Sequence, residues 1–173
     1  MNELDEVWAK MIAEAHNRAQ TNGRSDVADY LALKASNDQI RATAVRWLMD
    51  SMLEIAAEAN RRSFAVSIEN EQPHRFEFNH SNPVGYLLRL RQGVRCLTLE
   101  AGWTRTPTDG FMRNGALAVA RIRHFGMRQE DANLILLRTE KLPEWFLIDR
   151  QEKRVLFGSD HLLKHFQIFL GVF

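Results

Sequence analysis

The stretch VGYLLRLRQGVRCLTLE, residues 84–100, decides the fold class of this 173-residue chain. Two alternating apolar and polar runs flank Gln92-Gly93, and a two-residue connection that contains glycine is typical of a β-hairpin. When Arg91 is paired with Val94, one face of the hairpin is almost wholly apolar and the other is mixed and cationic. Side chains alternate between the faces of a strand, so this pattern predicts a half-buried antiparallel sheet.

The composition is that of an ordinary globular protein. Hydrophobic residues make up 45% of the chain and charged residues 26%, and the length suits a single domain over residues 1–173. No apolar run approaches the ~18 residues that a membrane span needs, which predicts no membrane association. The N-terminus does not resemble a secretory signal, and the lone Cys96 excludes an internal disulfide. These features predict a cytoplasmic location.

Residues 1–63 are expected to be helical. An apolar stripe with a period near 3.6 begins at Leu4, and Asn22-Gly23 is a typical helix end. A short second helix is predicted over residues 26–35 and a third from about residue 37 or 38 to residue 61.

The third predicted helix has an unusually broad apolar arc over residues 40–59. A helix that is apolar on more than half of its circumference must be covered on several sides. Two explanations remain open, since the cover can come from the sheet and other helices or from a second subunit. The second explanation predicts self-association through this helix.

From residue 64 the hydrophobic period changes to two, which predicts seven or eight strands over residues 64–158. The predicted runs, besides the two strands of the hairpin, are 64–69, 76–78, 117–124, 133–139, 145–148 and 155–157. Ser159-Asp160 is then expected to cap a C-terminal helix over residues 159–171. The order predicts an α+β fold, in which a helical segment packs on a mostly antiparallel meander sheet that the last helix closes.

The longest irregular stretch, residues 101–115, is the candidate ligand site. Its chemistry-bearing side chains are Trp103, Arg105, Asp109 and Arg113. Arginine next to an aromatic ring on a loop can bind a phosphate, a carboxylate or a base. The alternative is an ordinary strand connection in which Trp103 and Phe111 pack against the sheet edge.

Arginine also dominates the basic residues, of which it contributes 18 of 23. By parity Arg89 and Arg91 project from one side of their strand, and Arg121 and Arg123 do so from another. If these strands are close, the four guanidinium groups form a surface for a nucleic-acid backbone.

The opposite interpretation is that Glu69, Glu77 and Glu100 on neighbouring strands neutralise these arginines as cross-strand pairs. The sequence pI near 8.0 also lies below the ~9 that is typical of a dedicated nucleic-acid domain.

The chain shows no recognisable catalytic or metal-binding motif. His161 and His165 have the i, i+4 spacing of two metal ligands, but the position after the first holds leucine instead of the glutamate of zinc proteases. Cys96 lies within a predicted strand, where a buried apolar role is usual. We therefore predict no catalytic residue, no metal site and no cofactor.

These observations leave three classes of function. The first is a non-enzymatic cytoplasmic binding module that associates with a protein partner or with itself as a homodimer. The second is nucleic-acid or phosphate-ligand binding through the arginine-bearing sheet face and the 101–115 loop. The third is an enzyme or a small-ligand cavity between the sheet and the helices.

Overall fold

The computed structural model describes residues 3–172 and, for Leu4, the backbone alone. The helices are α1 (Glu3–Thr21), α2 (Ser25–Arg61) and α3 (Ser159–Leu170). The strands are β1 (Ser67–Arg75), β2 (Val84–Gln92), β3 (Arg95–Trp103), β4 (Ala118–His124), β5 (Ala132–Leu137), β6 (Glu144–Ile148) and β7 (Arg154–Leu156). This order confirms the predicted α+β fold of N-terminal helices, a meander sheet and a C-terminal helix.

The seven strands form one antiparallel sheet in chain order, with β1 and β7 at its edges. One face, called the inner face, carries a continuous band of leucines and other apolar side chains. Its fully buried members include Leu88, Leu90, Leu97, Leu99, Ile122, Leu134 and Leu136. The opposite side, called the outer face, carries the arginines of β2 and β4 and a smaller apolar cluster.

The predicted hairpin exists, but its turn was placed one residue too early. The turn residues are Gly93 and Val94, and Gln92 pairs with Arg95. Gly93 has a φ of +56°, which glycine tolerates at the first central position of such a turn. The true pairing is displaced by two positions from the predicted one. Because side chains alternate with period two, this displacement leaves each residue on its predicted face.

The chain divides into two compact units, Met1–Thr43 and Ala44–Phe173. In the first unit, the indole Nε1 of Trp8 donates a hydrogen bond of 3.0 Å to Asp38, and the Lys34 ammonium lies 4.8 Å from the Trp8 ring centre. These contacts join α1 to the first part of α2. The prediction of a single domain stays a prediction.

Two helices replace the three predicted over residues 1–63, since α2 is continuous from Ser25 to Arg61. The predicted break near residues 36–38 was wrong because no glycine or proline interrupts the helix there. The carboxylate of Asp38 does not cap a new helix. It accepts hydrogen bonds from Trp8 and from Arg41, so it is satisfied inside a helix.

In the second unit, α3 and the part of α2 after residue 43 cover the inner face. The Trp145 indole of β6 donates to the carbonyl of Ala44 over 3.2 Å, and Asn60 exchanges two hydrogen bonds with the Val66 backbone. Members of the apolar arc that are buried here include Val45, Leu48, Met49, Met52, Ala56 and Ala59. The chain itself therefore covers much of the arc that raised the prediction of a subunit interface.

The first sheet strand differs from its prediction. β1 begins at Ser67, and it continues through Gln72-Pro73 with a register shift between Glu71 and His74 instead of ending there. Residues 76–78 form no strand. Phe78 forms an isolated antiparallel bridge with Ser81, and the Phe76 amide donates to the carbonyl of Pro83. The rings of Phe76 and Phe78 belong to the apolar cluster on the outer face.

The last helix begins at Ser159, and its N-cap is Gly158 in place of the predicted Ser159-Asp160. Gly158 is extended and its amide donates to Nδ1 of His161 over 3.2 Å. At the other end Gly171 adopts the left-handed conformation, with a φ of +70°, and closes the helix. None of the helices that the structure describes is long and apolar enough to cross a membrane.

Candidate functional site

The candidate ligand loop is organised around a covered tryptophan. Trp103 ends β3 and is only 1% exposed. The Arg105 guanidinium lies over its ring, 3.6 Å from the ring centre, in a close cation–π contact. Because Arg105 covers one face of the indole and the side chain is almost wholly buried, no exposed ring face remains on which a ligand ring could stack.

Asp109 is buried, and its carboxylate is turned onto its own loop. Its Oδ2 accepts hydrogen bonds from the amide of Arg105 (3.0 Å) and from the amide and hydroxyl of Thr106 (2.9 and 3.1 Å). Its Oδ1 accepts one from the Arg75 guanidinium. Burial raises the pKa of Asp109, but these donors outweigh it and hold the pKa below its usual value. The group is a charged carboxylate that closes the loop.

The fourth predicted ligand residue lies outside this network. Arg113 is exposed and follows Gly110, while Phe111 beside it is 83% exposed instead of packed against the sheet. The structure therefore brings Trp103, Arg105 and Asp109 together: the Arg105 guanidinium covers the indole ring, and the Arg105 backbone amide donates to Asp109. Ligand binding by this loop stays a prediction.

The four arginines of the second predicted site do share the outer face. Thr98 of β3 lies opposite Arg89 of β2 and also opposite Arg123 of β4, so the three side chains form one row. Arg121 lies opposite Glu100 in the next row, and Arg91 lies opposite Cys96.

Glutamates on the same face pair with three of these arginines. Arg89 contacts Glu69 at 3.0 Å, Arg91 lies 3.9 Å from the same carboxylate, and Arg121 donates two hydrogen bonds of 3.0 and 2.7 Å to one oxygen of Glu100. Arg123 is exposed. The outer face therefore resembles the cross-strand pairing that the sequence offered as the opposite interpretation. Nucleic-acid binding stays untested.

Glu100 also binds a histidine that the sequence did not place here. The Nε2 of His74 lies 2.9 Å from Oε1 of Glu100, and the His74 ring stacks on Phe76. Burial raises the pKa of Glu100, but the hydrogen bonds from His74 and Arg121 lower it below its usual value. His74 lies opposite Gly85, which has no side chain on this face, so the imidazole can reach across β2 to β3. The paired residues Gly85 and Gly102 were the available sequence signal.

The two histidines of α3, His161 and His165, have different hydrogen-bond partners. His161 accepts the Gly158 amide, whereas Nδ1 of His165 lies 3.0 Å from Nε2 of the buried His124 on the inner face of β4. Among residues 3–172, no group of three histidine, cysteine or acidic side chains is placed to hold a metal ion. The sequence could not pair β4 with α3, because 41 residues separate the two histidines.

An open groove of about 650 Å³ runs between α2 and α3. Its apolar lining includes Ile55, Phe64, Leu163, Phe166, Leu170 and Val172, and its charged rim is formed by Glu54, Glu58, Arg61 and Arg62. Leu163 is 43% exposed and Val172 is 42% exposed, so the groove presents apolar surface to solvent. A groove of this kind can hold a row of apolar side chains from a binding partner, and such binding needs no catalytic group.

The chain matches no protein-family model, and neither curated proteins nor solved structures yield a significant match.

Proposed function

We propose that this protein is a non-enzymatic interaction module that forms a homodimer, and that a second copy occupies the groove between α2 and α3. The observation that carries this proposal is the exposed apolar lining of the groove. Leu163 and Val172 lie on or just after α3, and both are more than two-fifths exposed. Four other apolar side chains of the same helix are buried, namely Leu162, Phe166, Ile168 and Phe169. Exposed apolar surface with a charged rim is typical of protein–protein interfaces.

The charge order along α2 favours a second copy as the occupant. Glu58 pairs with Arg61 and Arg62 of its own helix at 2.5 and 2.9 Å, which leaves this cluster one net positive charge, whereas Glu54 makes no ion pair among the described residues. The rim therefore changes from acidic to basic along the helix. A two-fold interface places the same patch of both subunits face to face. When two copies of α2 run antiparallel, Glu54 of one copy lies opposite Arg61 and Arg62 of the other. The rim is therefore complementary to itself.

The proposal moves the self-association surface along the helix. The sequence pointed to the whole arc of residues 40–59, but Leu48, Met52 and Ala56 are fully buried within the second unit. The flank of α2 that lines the groove carries instead the exposed side chains of Glu54, Arg61 and Arg62.

The first experiment measures mass by light scattering during size exclusion at 1–100 µM protein. We expect a dimer for the unaltered chain and a monomer for Leu163→Glu, since the new carboxylate would be buried against apolar side chains. The matched control is Leu142→Glu, because Leu142 is 71% exposed on the connection between β5 and β6. A monomeric unaltered chain at 100 µM contradicts the proposal, as does a Leu163→Glu variant that remains dimeric.

A charge exchange tests the identity of the occupant. Glu54→Arg places like charges opposite each other and is expected to raise the dimer dissociation constant about 10-fold, or about 1.4 kcal/mol. Adding Arg62→Glu in the same chain restores opposite charges and is expected to recover most of the affinity. If the double variant is as weak as the single one, the two copies do not meet in the antiparallel arrangement.

A further inference from the structure

A histidine pair forms a polar link between α3 and the sheet. His124 is 3% exposed on the inner face of β4, and its Nε2 lies 3.0 Å from Nδ1 of His165. The two rings are stacked with their centres 5.3 Å apart. Around this link α3 buries Leu162, Phe166 and Phe169. One imidazole must donate and the other must accept, so the bond exists only while at least one of the facing nitrogens lacks a proton.

The surroundings of the pair disfavour a further proton. Burial lowers the pKa of His124. Burial, together with the positive charge of a protonated His124, lowers the pKa of His165 to about 4. Among the described residues, no group forms a hydrogen bond with Nδ1 of His124, although that atom is buried. A proton added to the accepting nitrogen would therefore remove the bond. A proton added at Nδ1 of His124 would leave the bond but place a buried N–H and a positive charge where that atom has no hydrogen-bonded partner.

We propose that the His124–His165 pair is an acid-sensitive latch, which holds α3 against β4 when both rings are neutral and releases α3 when the pair takes up a proton. The released helix exposes the inner face of the sheet and removes one wall of the α2–α3 groove. The latch itself does not depend on what the groove binds. If the groove holds a second copy, opening of the latch also dissociates the dimer.

Charged groups near both histidines determine the pH at which the latch opens. Near β4, Asp131 and Glu130 favour a protonated His124, and Asp131 also accepts the His124 backbone amide over 2.8 Å. On α3, Lys164 and His161 disfavour a protonated His165, and the Phe157 ring lies 6.2 Å from it as an apolar neighbour. Burial outweighs the two acidic groups, so the latch stays closed at neutral pH and opens in acid.

Hydrogen exchange of the α3 amides tests the latch. We expect the protection of residues 162–170, corrected for the intrinsic effect of pH, to fall at least about 10-fold between pH 7 and pH 4, while β4 and β5 stay protected. Return to pH 7 restores the protection. Protection of α3 that is unchanged at pH 4, or that falls together with the whole sheet, overturns the proposal.

The double variant His124→Leu with His165→Leu removes both titrating rings and keeps the contact apolar. Its α3 protection is expected to be independent of pH in this range, whereas the control His161→Gln is expected to open like the unaltered chain. A double variant that loses protection as steeply as the unaltered chain overturns the latch.

A nitrogen-detected imidazole titration of the unaltered protein does not depend on whether that variant folds. It is expected to show the His124–His165 pair taking up its first proton at the pH at which α3 opens. A separation of more than one pH unit between the two events also contradicts the proposal.

Discussion

At the scale of single residues, composition located the polar loop but did not show whether its side chains face solvent or one another. Trp103, Arg105 and Asp109 are close together, as their spacing suggested, yet the carboxylate of Asp109 binds its own loop and Arg105 covers the indole. The short 3-10 turn at Pro107–Asp109 returns Asp109 to the amides three and four residues earlier. Thr106 followed by proline and, three positions on, an acidic residue is a signal for that turn, and it indicates a structural role.

Gly85 lies where the backbone of β3 leaves no space for a side chain on β2. A Cβ at this position would lie 2.0 Å from the Ala101 carbonyl oxygen and 2.6 Å from the Gly102 Cα, which are backbone atoms that cannot move aside. We expect Gly85→Ala to lower the free energy of unfolding by about 4 kcal/mol, measured by urea denaturation. Gly158→Ala is the control, since nothing lies within 4 Å of its Cβ, and its expected cost is below about 1 kcal/mol. Equal costs for the two variants would show that β2 and β3 do not approach so closely.

For helices and strands, hydrophobic periodicity correctly predicted which face of the hairpin each residue occupies, but it predicted poorly where an element begins and ends. The hairpin kept its faces because a displacement by two positions preserves alternation, although Gly93-Val94 and not Gln92-Gly93 makes the turn. The false break in α2 came from reading polar residues near Asp38 as a cap, whereas contacts with α1 satisfy that carboxylate. Contacts between elements distant in sequence, such as His74 with Glu100 and His124 with His165, leave no local pattern.

His165 of α3 makes the free energy of unfolding depend on pH. The pKa of His165 is lowered to about 4 in the folded protein, while the unfolded chain has the ordinary value near 6.5. Between these values the unfolded state binds more protons, so the free energy of unfolding falls as the pH falls from about 6.5 to about 4. The difference in pKa corresponds to a loss on the order of 3 kcal/mol. Urea denaturation at several pH values measures it.

His165→Leu is the informative variant for this pH dependence, because it removes the titrating group and keeps the site apolar. It is expected to flatten part of the slope between pH 6.5 and pH 4, and the remaining slope is assigned to His124, whose pKa burial also lowers. Glu100 and Asp109, whose pKa values are lowered, act in a separate and more acidic window below their ordinary values of 4.5 and 3.8. An unchanged slope in His165→Leu would assign the pH dependence to other groups.

At the scale of the whole molecule, the excess of arginine is the feature that the fold reinterprets. The chain has a net charge of +1, and its sheet places Glu69 and Glu100 among the arginines of the outer face. These charges can pair only if their strands are neighbours in the sheet. The meander order, which the turns in the sequence predicted, makes them neighbours. What the sequence could not supply was the groove between α2 and α3, because it arises where two helices separated by the whole sheet meet.

The salt dependence of DNA binding by the outer face is set by the arginines on that face that make no ion pair. Each phosphate contact steepens the slope of log K against log salt by about 0.9. Arg89, Arg91 and Arg121 are paired with glutamates, whereas Arg123 is exposed and makes no ion pair among residues 3–172. We expect fluorescence anisotropy with a labelled duplex to show weak binding. We expect Arg123→Ala to make the slope less steep by about 0.9 and Arg89→Ala to leave it unchanged. A slope steeper than about −3 that Arg89→Ala or Arg121→Ala reduces would instead show that phosphates displace the glutamates, and it would make the outer face a nucleic-acid surface.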